Sequence, residues 1–193
     1  MATAKIVSET FRENELAYNG KIDNIMFLLL NGESFEFSGS VRLLYDMKNN
    51  LFPHDMNLTE KFKDGSQPLL NIDNIAGVIE LGQLSSINDK NIYIHSATNS
   101  DAIIEKIQEN AVKEGLDSRK STRDSMPPSS VKKFVAERND LQAVFLSNFD
   151  TEYTNKYYHS LYDNPSYHGY NHTSGAGQDI VKHLASVARM TAR

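Results

Sequence analysis

The chain has 193 residues, 39% hydrophobic and 23% charged, a size and balance that suit one globular domain with its own core. Its formal net charge of -5, from 25 acidic and 20 basic residues, argues against a nucleic-acid partner, because backbone binding needs clustered positive charge. The absence of cysteine excludes thiolate catalysis, iron–sulfur centres and thiolate zinc sites.

Residues 1–20 carry no assignable pattern, and Met1 to Thr10 lacks the apolar block of a signal peptide. Lys21 to Leu30 predicts a strand. Its run Ile25 to Leu30 is apolar without alternation, as in a central strand covered on both faces, and is far short of a membrane span. Ser38 to Asn49 predicts a helix. Val41, Leu44, Tyr45 and Lys48 share one face, and Ser38 or Ser40 offers a cap. Residues 53–71 read as polar loop. Ile75 to Leu81 and Asn91 to His95 predict strands, and Ser100 to Lys113 a helix with Ile103, Ile104, Ile107 and Val112 at helical spacing, stopped by Gly115. Residues 117–126 read as an exposed charged loop. Val131 to Arg138 predicts a helix capped by Ser129 or Ser130, with Val131, Phe134 and Val135 inward. Leu141 to Ser147 predicts a strand, and Glu152 to Asp163 an aromatic loop leading into a short helix. Gln178 to Met190 closes as a helix with Ile180, Val181, Leu184, Val187 and Ala188 inward. Strands mixed with helices of this length predict one α/β domain over 1–193: a three-layer, mostly parallel mixed sheet with helices on both faces.

In such sheets, sites gather beyond the carboxyl ends of the strands. Three segments qualify. Gly32 to Ser40 follows the most apolar stretch and precedes a helix. There Glu33 and Glu36 can serve as general base, metal ligand or partner for an ammonium group, or as solvated acids at a helix start. Glu80 ends the second strand and either joins that cleft or faces solvent. His159 and Asp163 stand four apart, a spacing that permits a histidine–carboxylate pair on a helical turn and equally suits a packed structural histidine. A zinc peptidase needs at least three protein ligands and an open position. His54, His95, His168, His172 and His183 show no convincing metal spacing, and neither HExxH nor G-x-S-x-G is present. Gly175-Ala176-Gly177 lacks the Lys-Ser/Thr of a phosphate loop. No catalytic residue, metal or cofactor is therefore assigned. Asn57 and Asn171 open N-glycosylation sequons.

Four blocks, in order, resemble the nicastrin family. They are Asn24-Ile25-Met26-Phe27-Leu28-Leu29-Leu30-Asn31-Gly32-Glu33-Ser34-Phe35 with Gly39-Ser40, then Glu80-Leu81-Gly82-Gln83, then Pro127-Pro128-Ser129-Ser130, then Asn155-Lys156-Tyr157-Tyr158 with Tyr162-Asp163. The resemblance implies a partial M28 zinc-aminopeptidase-like domain, and a subunit of γ-secretase rather than an active peptidase. It implies substrate binding by Glu33, Glu36 and Phe37, with Glu33, Glu80, His159 and Asp163 at vestigial metal-site positions. Glu36-Phe37-Ser38-Gly39-Ser40 is similar to the family's Asp-Tyr-Ile-Gly-Ser motif, and Phe37 and Ser38 depart from its Tyr-Ile, which removes a hydroxyl at 37. His159 resembles the enzymes' final histidine ligand, whereas nothing in Met1 to Lys21 resembles their upstream His-x-Asp. The resemblance further implies presenilin-containing partners, type I membrane protein substrates with short ectodomains, and a glycosylated lumenal or extracellular location on a single-pass membrane parent. Two other readings stay open: an active zinc aminopeptidase, and a purely structural interaction domain.

Overall fold

In chain order the elements are helix α1 (Ser38–Lys48), a short 3-10 turn (Ile72–Asn74), strand β1 (Gly77–Leu81), strand β2 (Asn91–Ser96), helix α2 (Asp101–Lys113), strand β3 (Asp117–Lys120), helix α3 (Ser130–Glu137), strand β4 (Gln142–Ser147) and helix α4 (Gly175–Ala192). The structure, a computed structural model, describes residues 5, 9, 25–52, 70–84, 91–96, 99–167, 173 and 175–192.

The strands form one sheet in the order β1-β4-β2-β3. β1 pairs parallel with β4, β4 antiparallel with β2, and β2 parallel with β3. β4 is the most deeply buried strand because both its faces are covered. Successive side chains point to opposite faces. Ala143 and Phe145 therefore join Leu43, Leu44 and Met47 of α1 and Val131 and Phe134 of α3. Val144 and Leu146 join Ile104 and Ile107 of α2 and Val187 and Met190 of α4. Helices thus cover both faces, and the three-layer, mostly parallel mixed sheet expected from the sequence is what forms.

Several local expectations are corrected. Ile25 to Leu30 lies in no strand among the described residues, and Lys21–Asn24 fall outside them. Leu28 and Leu30 pack against the core beneath α1 and α3, while Leu29 is 70% exposed. The apolar pattern finds a surface to pack on, but a strand also needs backbone partners. Residues 117–126 are not all loop. Asp117–Lys120 pairs with β2 as an edge strand, and its charged side chains suit that position. The segment Glu152 to Asp163 forms turns and no helix. In α1 the buried stripe is Leu43, Leu44 and Met47, with Val41 and Tyr45 outward. Its cap position is Phe37, not Ser38 or Ser40. Val112 of α2 points outward and Ala111 takes its place, while Val181 and Leu184 of α4 are exposed. Ile103, Ile104 and Ile107 of α2 and Ile180, Val187 and Ala188 of α4 lie inward as expected, but the α1 stripe is centred about one residue from where the sequence puts it. On a helix that is a rotation of about 100° per residue, enough to exchange a core position for a surface one.

Candidate functional site

β1 and β4 run parallel, so their carboxyl ends reach the same side of the sheet, and the start of α3 packs there. Glu33 opens the tight turn before α1. Gly32 has φ +79, and Glu36 and Phe37 follow with φ 54 and 60, two consecutive non-glycine residues in the left-handed region. Such backbone persists only where its surroundings over-determine it. Here the fastening is the Glu33 carboxylate. Its Oε1 accepts the Ser40 N–H at 2.8 Å, and its Oε2 accepts the Ser40 hydroxyl at 2.5 Å and the Ser130 hydroxyl. Gly39 leaves room for this: a Cβ there would stand 2.6 Å from Glu33 Oε1 and would collide with the Asn31 carbonyl.

Glu80, at the end of β1, does the same for α3. Its Oε2 accepts the Val131 N–H at 2.7 Å and its Oε1 the Ser130 N–H at 3.3 Å. These are N–H groups of a first helical turn, which lack partners within the helix. Burial pushes the Glu80 carboxyl above its ordinary value. The two N–H bonds pull it back, and the Glu33 charge adds to the rise. Ser130 ties the two carboxylates together, through its hydroxyl to Glu33 and its backbone to Glu80.

The third predicted segment arrives on the same side through its tyrosines. The Tyr158 hydroxyl is pushed up to about 12, first by burial and then by the charges of Glu80, Tyr153 and Asp163. His159 does not meet Asp163 through its ring. Its backbone N–H donates to Asp163 Oδ2 at 3.3 Å, its φ is 62, and its imidazole stacks on Tyr158 at 4.0 Å between centroids. Asp163 also accepts Asn155 Nδ2 at 2.8 Å. Beside them is an open cleft of about 310 Å³ lined by Leu81, Gln83, Asn155, Tyr158, Asp163 and Leu184, among others. Gln83 of its lining is held by its neighbours: it accepts the Thr154 hydroxyl at 2.9 Å and donates to the Asn155 backbone carbonyl at 3.4 Å.

Glu33 and Glu80 are thus brought together, with Asp163 and Tyr158 close by, whereas Glu36 is exposed and the His159 ring is turned to Tyr158. Lys133 lies 5.5 Å above the Phe37 ring, a cation–π contact that needs no hydroxyl at 37. Among the described residues no group of three His, Asp or Glu side chains is placed to hold a metal ion. Asn57 and Asn171 lie outside the described residues, as do His54, His168 and His172. The sequence offered Ser129 or Ser130 as the cap of α3, and the link that Ser130 makes between carboxylates was missed. The true cap is Ser129, whose hydroxyl accepts the Lys132 N–H at 3.3 Å. The paired serines were the available signal: one caps, which frees the other.

The family model described as the nicastrin large lobe matches residues 4–193 of this chain. The chain is similar to nicastrin of Mus musculus, 26% identical over 190 residues, which cover 88% of this chain and 24% of that protein. It is similar to nicastrin of Rattus norvegicus, 28% identical over 192 residues, with the same shares covered. Among solved structures it is similar to the crystal structure of the γ-secretase component nicastrin, with TM-score 0.49 and 20% identity, covering 97% of this chain and 29% of that one. The chain spans about a quarter of the length of the curated relatives it matches.

Proposed function

The chain belongs to the nicastrin family, as a segment of its large lobe, and from that premise we propose a non-catalytic part of a γ-secretase subunit that helps recognise or gate substrates for intramembrane proteolysis. Its partners are presenilin-containing subunits and its substrates type I membrane proteins with short ectodomains. Glu33, Glu36 and Phe37 contact substrate, and Glu33 reads the free amino terminus. Glu33, Glu80, His159 and Asp163 occupy what remains of a metal site. Asn57 and Asn171 carry glycans on the lumenal or extracellular side of the membrane. Among the described residues no helix is long and apolar enough to cross it.

One observation carries the reading. The carboxylates a peptidase would turn toward zinc are occupied with their own backbone, Glu33 at the start of α1 and Glu80 at the start of α3. A carboxylate has about four lone-pair sites, so Glu33, with its three bonds, keeps acceptor capacity and its negative charge for an ammonium group. Zinc needs several converging ligands, and among the described residues no three His, Asp or Glu side chains converge, whereas an ammonium group can use the one remaining acceptor site of Glu33.

The test uses the assembled complex and substrates with free or acetylated amino termini. Acetylation removes the ligand charge without touching the protein, and is expected to weaken substrate capture about tenfold, close to 1.4 kcal/mol. Glu33→Gln is expected to remove most of that difference at unchanged complex assembly. Equal capture of both substrates overturns amino-terminus reading. Stoichiometric zinc with chelator-sensitive peptide release overturns the non-catalytic assignment.

A further inference from the structure

In-register residues of neighbouring strands share a face, so Glu80, Phe145 and His95 form one row across β1, β4 and β2. His95 is 2% exposed and lies between the rings of Phe145 and Phe149, at 5.6 and 5.3 Å between centroids. Its Nε2 is 3.0 Å from the Phe149 carbonyl and 2.9 Å from the Ser147 hydroxyl. The Ser147 hydroxyl donates to the Phe149 carbonyl at 2.8 Å and has no proton for Nε2, so Nε2 carries the proton and Nδ1 of the neutral ring is the bare acceptor. Nδ1 is buried and has no hydrogen-bond partner among the described residues. As a lone pair it is tolerated. As an N–H it would be an orphaned donor on a buried cation.

Among the described residues the surroundings offer no rescue. The charged groups facing the ring are Asp150, which favours its protonation, and Arg123, which opposes it, while β4 contributes uncharged Phe145 and Ser147. Asp150 is already committed: it accepts the Ser121 hydroxyl at 2.7 Å, the Thr122 N–H at 2.8 Å and the Thr122 hydroxyl at 2.7 Å. The cover over His95 leads directly to the site. Phe149 packs on Tyr153 at 4.5 Å, Tyr153 stacks on Tyr158 at 5.7 Å, and Tyr158 stacks on His159 at 4.0 Å.

We propose that His95 is an acid-sensitive latch. Neutral, it fastens the turn after β4 through the Phe149 carbonyl. Protonated, it needs an acceptor or water for Nδ1; the shift that supplies one moves the ring from between Phe145 and Phe149 and off the Phe149 carbonyl, and this loosens residues 149–163 around the candidate site. The inference holds whatever the site binds. Burial keeps the imidazole below its ordinary 6.5, so the latch is fully closed above that value and opens as pH falls toward the lower folded value.

Hydrogen exchange on the intact protein, corrected for intrinsic rates, tests this at about pH 7.5 and about pH 5. Protection of residues 149–163 is expected to fall about tenfold at the lower pH, while α2, over 101–113, keeps its protection. In His95→Gln, which retains a donor near the Nε2 position, the fall is expected to vanish. An unchanged fall in His95→Gln overturns the proposal. Should that variant not fold, the native protein decides: no fall in 149–163, or one shared equally with α2, overturns it.

Discussion

Ser130 acts through two different atoms, and a substitution can separate them. Ser130→Ala removes the hydroxyl bond to Glu33 but leaves the backbone bond to Glu80. A hydrogen bond to a charged group contributes about 1.5–3 kcal/mol. Glu33 is partly exposed and keeps both Ser40 bonds, so a loss of about 1–2 kcal/mol is expected. It should appear as a lower denaturant midpoint with an unchanged slope, and Ser130→Thr should recover most of it. The same bond shows where sequence reading stops at this scale. Glu33 and Glu80 were legible as acids beside strand or helix ends, because their neighbours in sequence mark those ends. Whether a carboxylate faces a ligand or its own chain depends on a donor 97 residues away, and no local pattern encodes that distance.

At the scale of the element, α2 ends as its sequence requires. Gly115, with φ +69, lets the Leu116 N–H reach back to the Ala111 carbonyl at 2.9 Å and the Gly115 N–H to Val112 at 3.1 Å. Leu116 is then buried in the core beneath α2 and α4. A Cβ at 115 would meet nothing within 4 Å, so any cost of substitution there comes from the backbone alone. Gly115→Ala is expected to lose about 1 kcal/mol, and Gly115→Asn less, because asparagine tolerates the left-handed region. Thermal unfolding of the two variants side by side checks this ranking. Gly39 is the opposite case, space without strain, and Gly39→Ala should cost more by pushing the Asn31 carbonyl and Glu33 off the start of α1. Elements of this kind were legible because composition and caps mark them: the helices at 101–113 and 130–137 and the strand at 142–147 fell within a residue or so of expectation. β3 was not. Asp117–Lys120 has no apolar signal and forms only because β2 presents an unpaired edge. The converse is Ile25 to Leu30, whose composition promised a strand that its described surroundings do not pair.

Across the whole molecule, the row from Glu80 to His95 places two ionisable groups with opposite pH behaviour on one face of the sheet. The His95 value is depressed by burial, so its contribution to stability is present above 6.5 and lost as pH falls. The Glu80 value is raised by burial, so its contribution is present below 4.5 and lost as pH rises through the higher folded value. On acidification the two oppose each other: His95 weakens the fold while Glu80 begins to take up a proton that the folded state favours. A flat pH profile would therefore hide two slopes, and single substitutions should expose them. Between about pH 7.5 and about pH 5, His95→Gln is expected to lose less in melting temperature than the native protein, and Glu80→Gln to lose more. Loss of the Asp150 bonds enters at still lower pH, because hydrogen bonds from Thr122 and Ser121 hold that carboxyl below its ordinary value. Calorimetric melting temperatures of the three proteins across this range decide the matter. Parallel curves would mean that neither buried group governs the pH response, and that the sheet's central row is electrostatically inert.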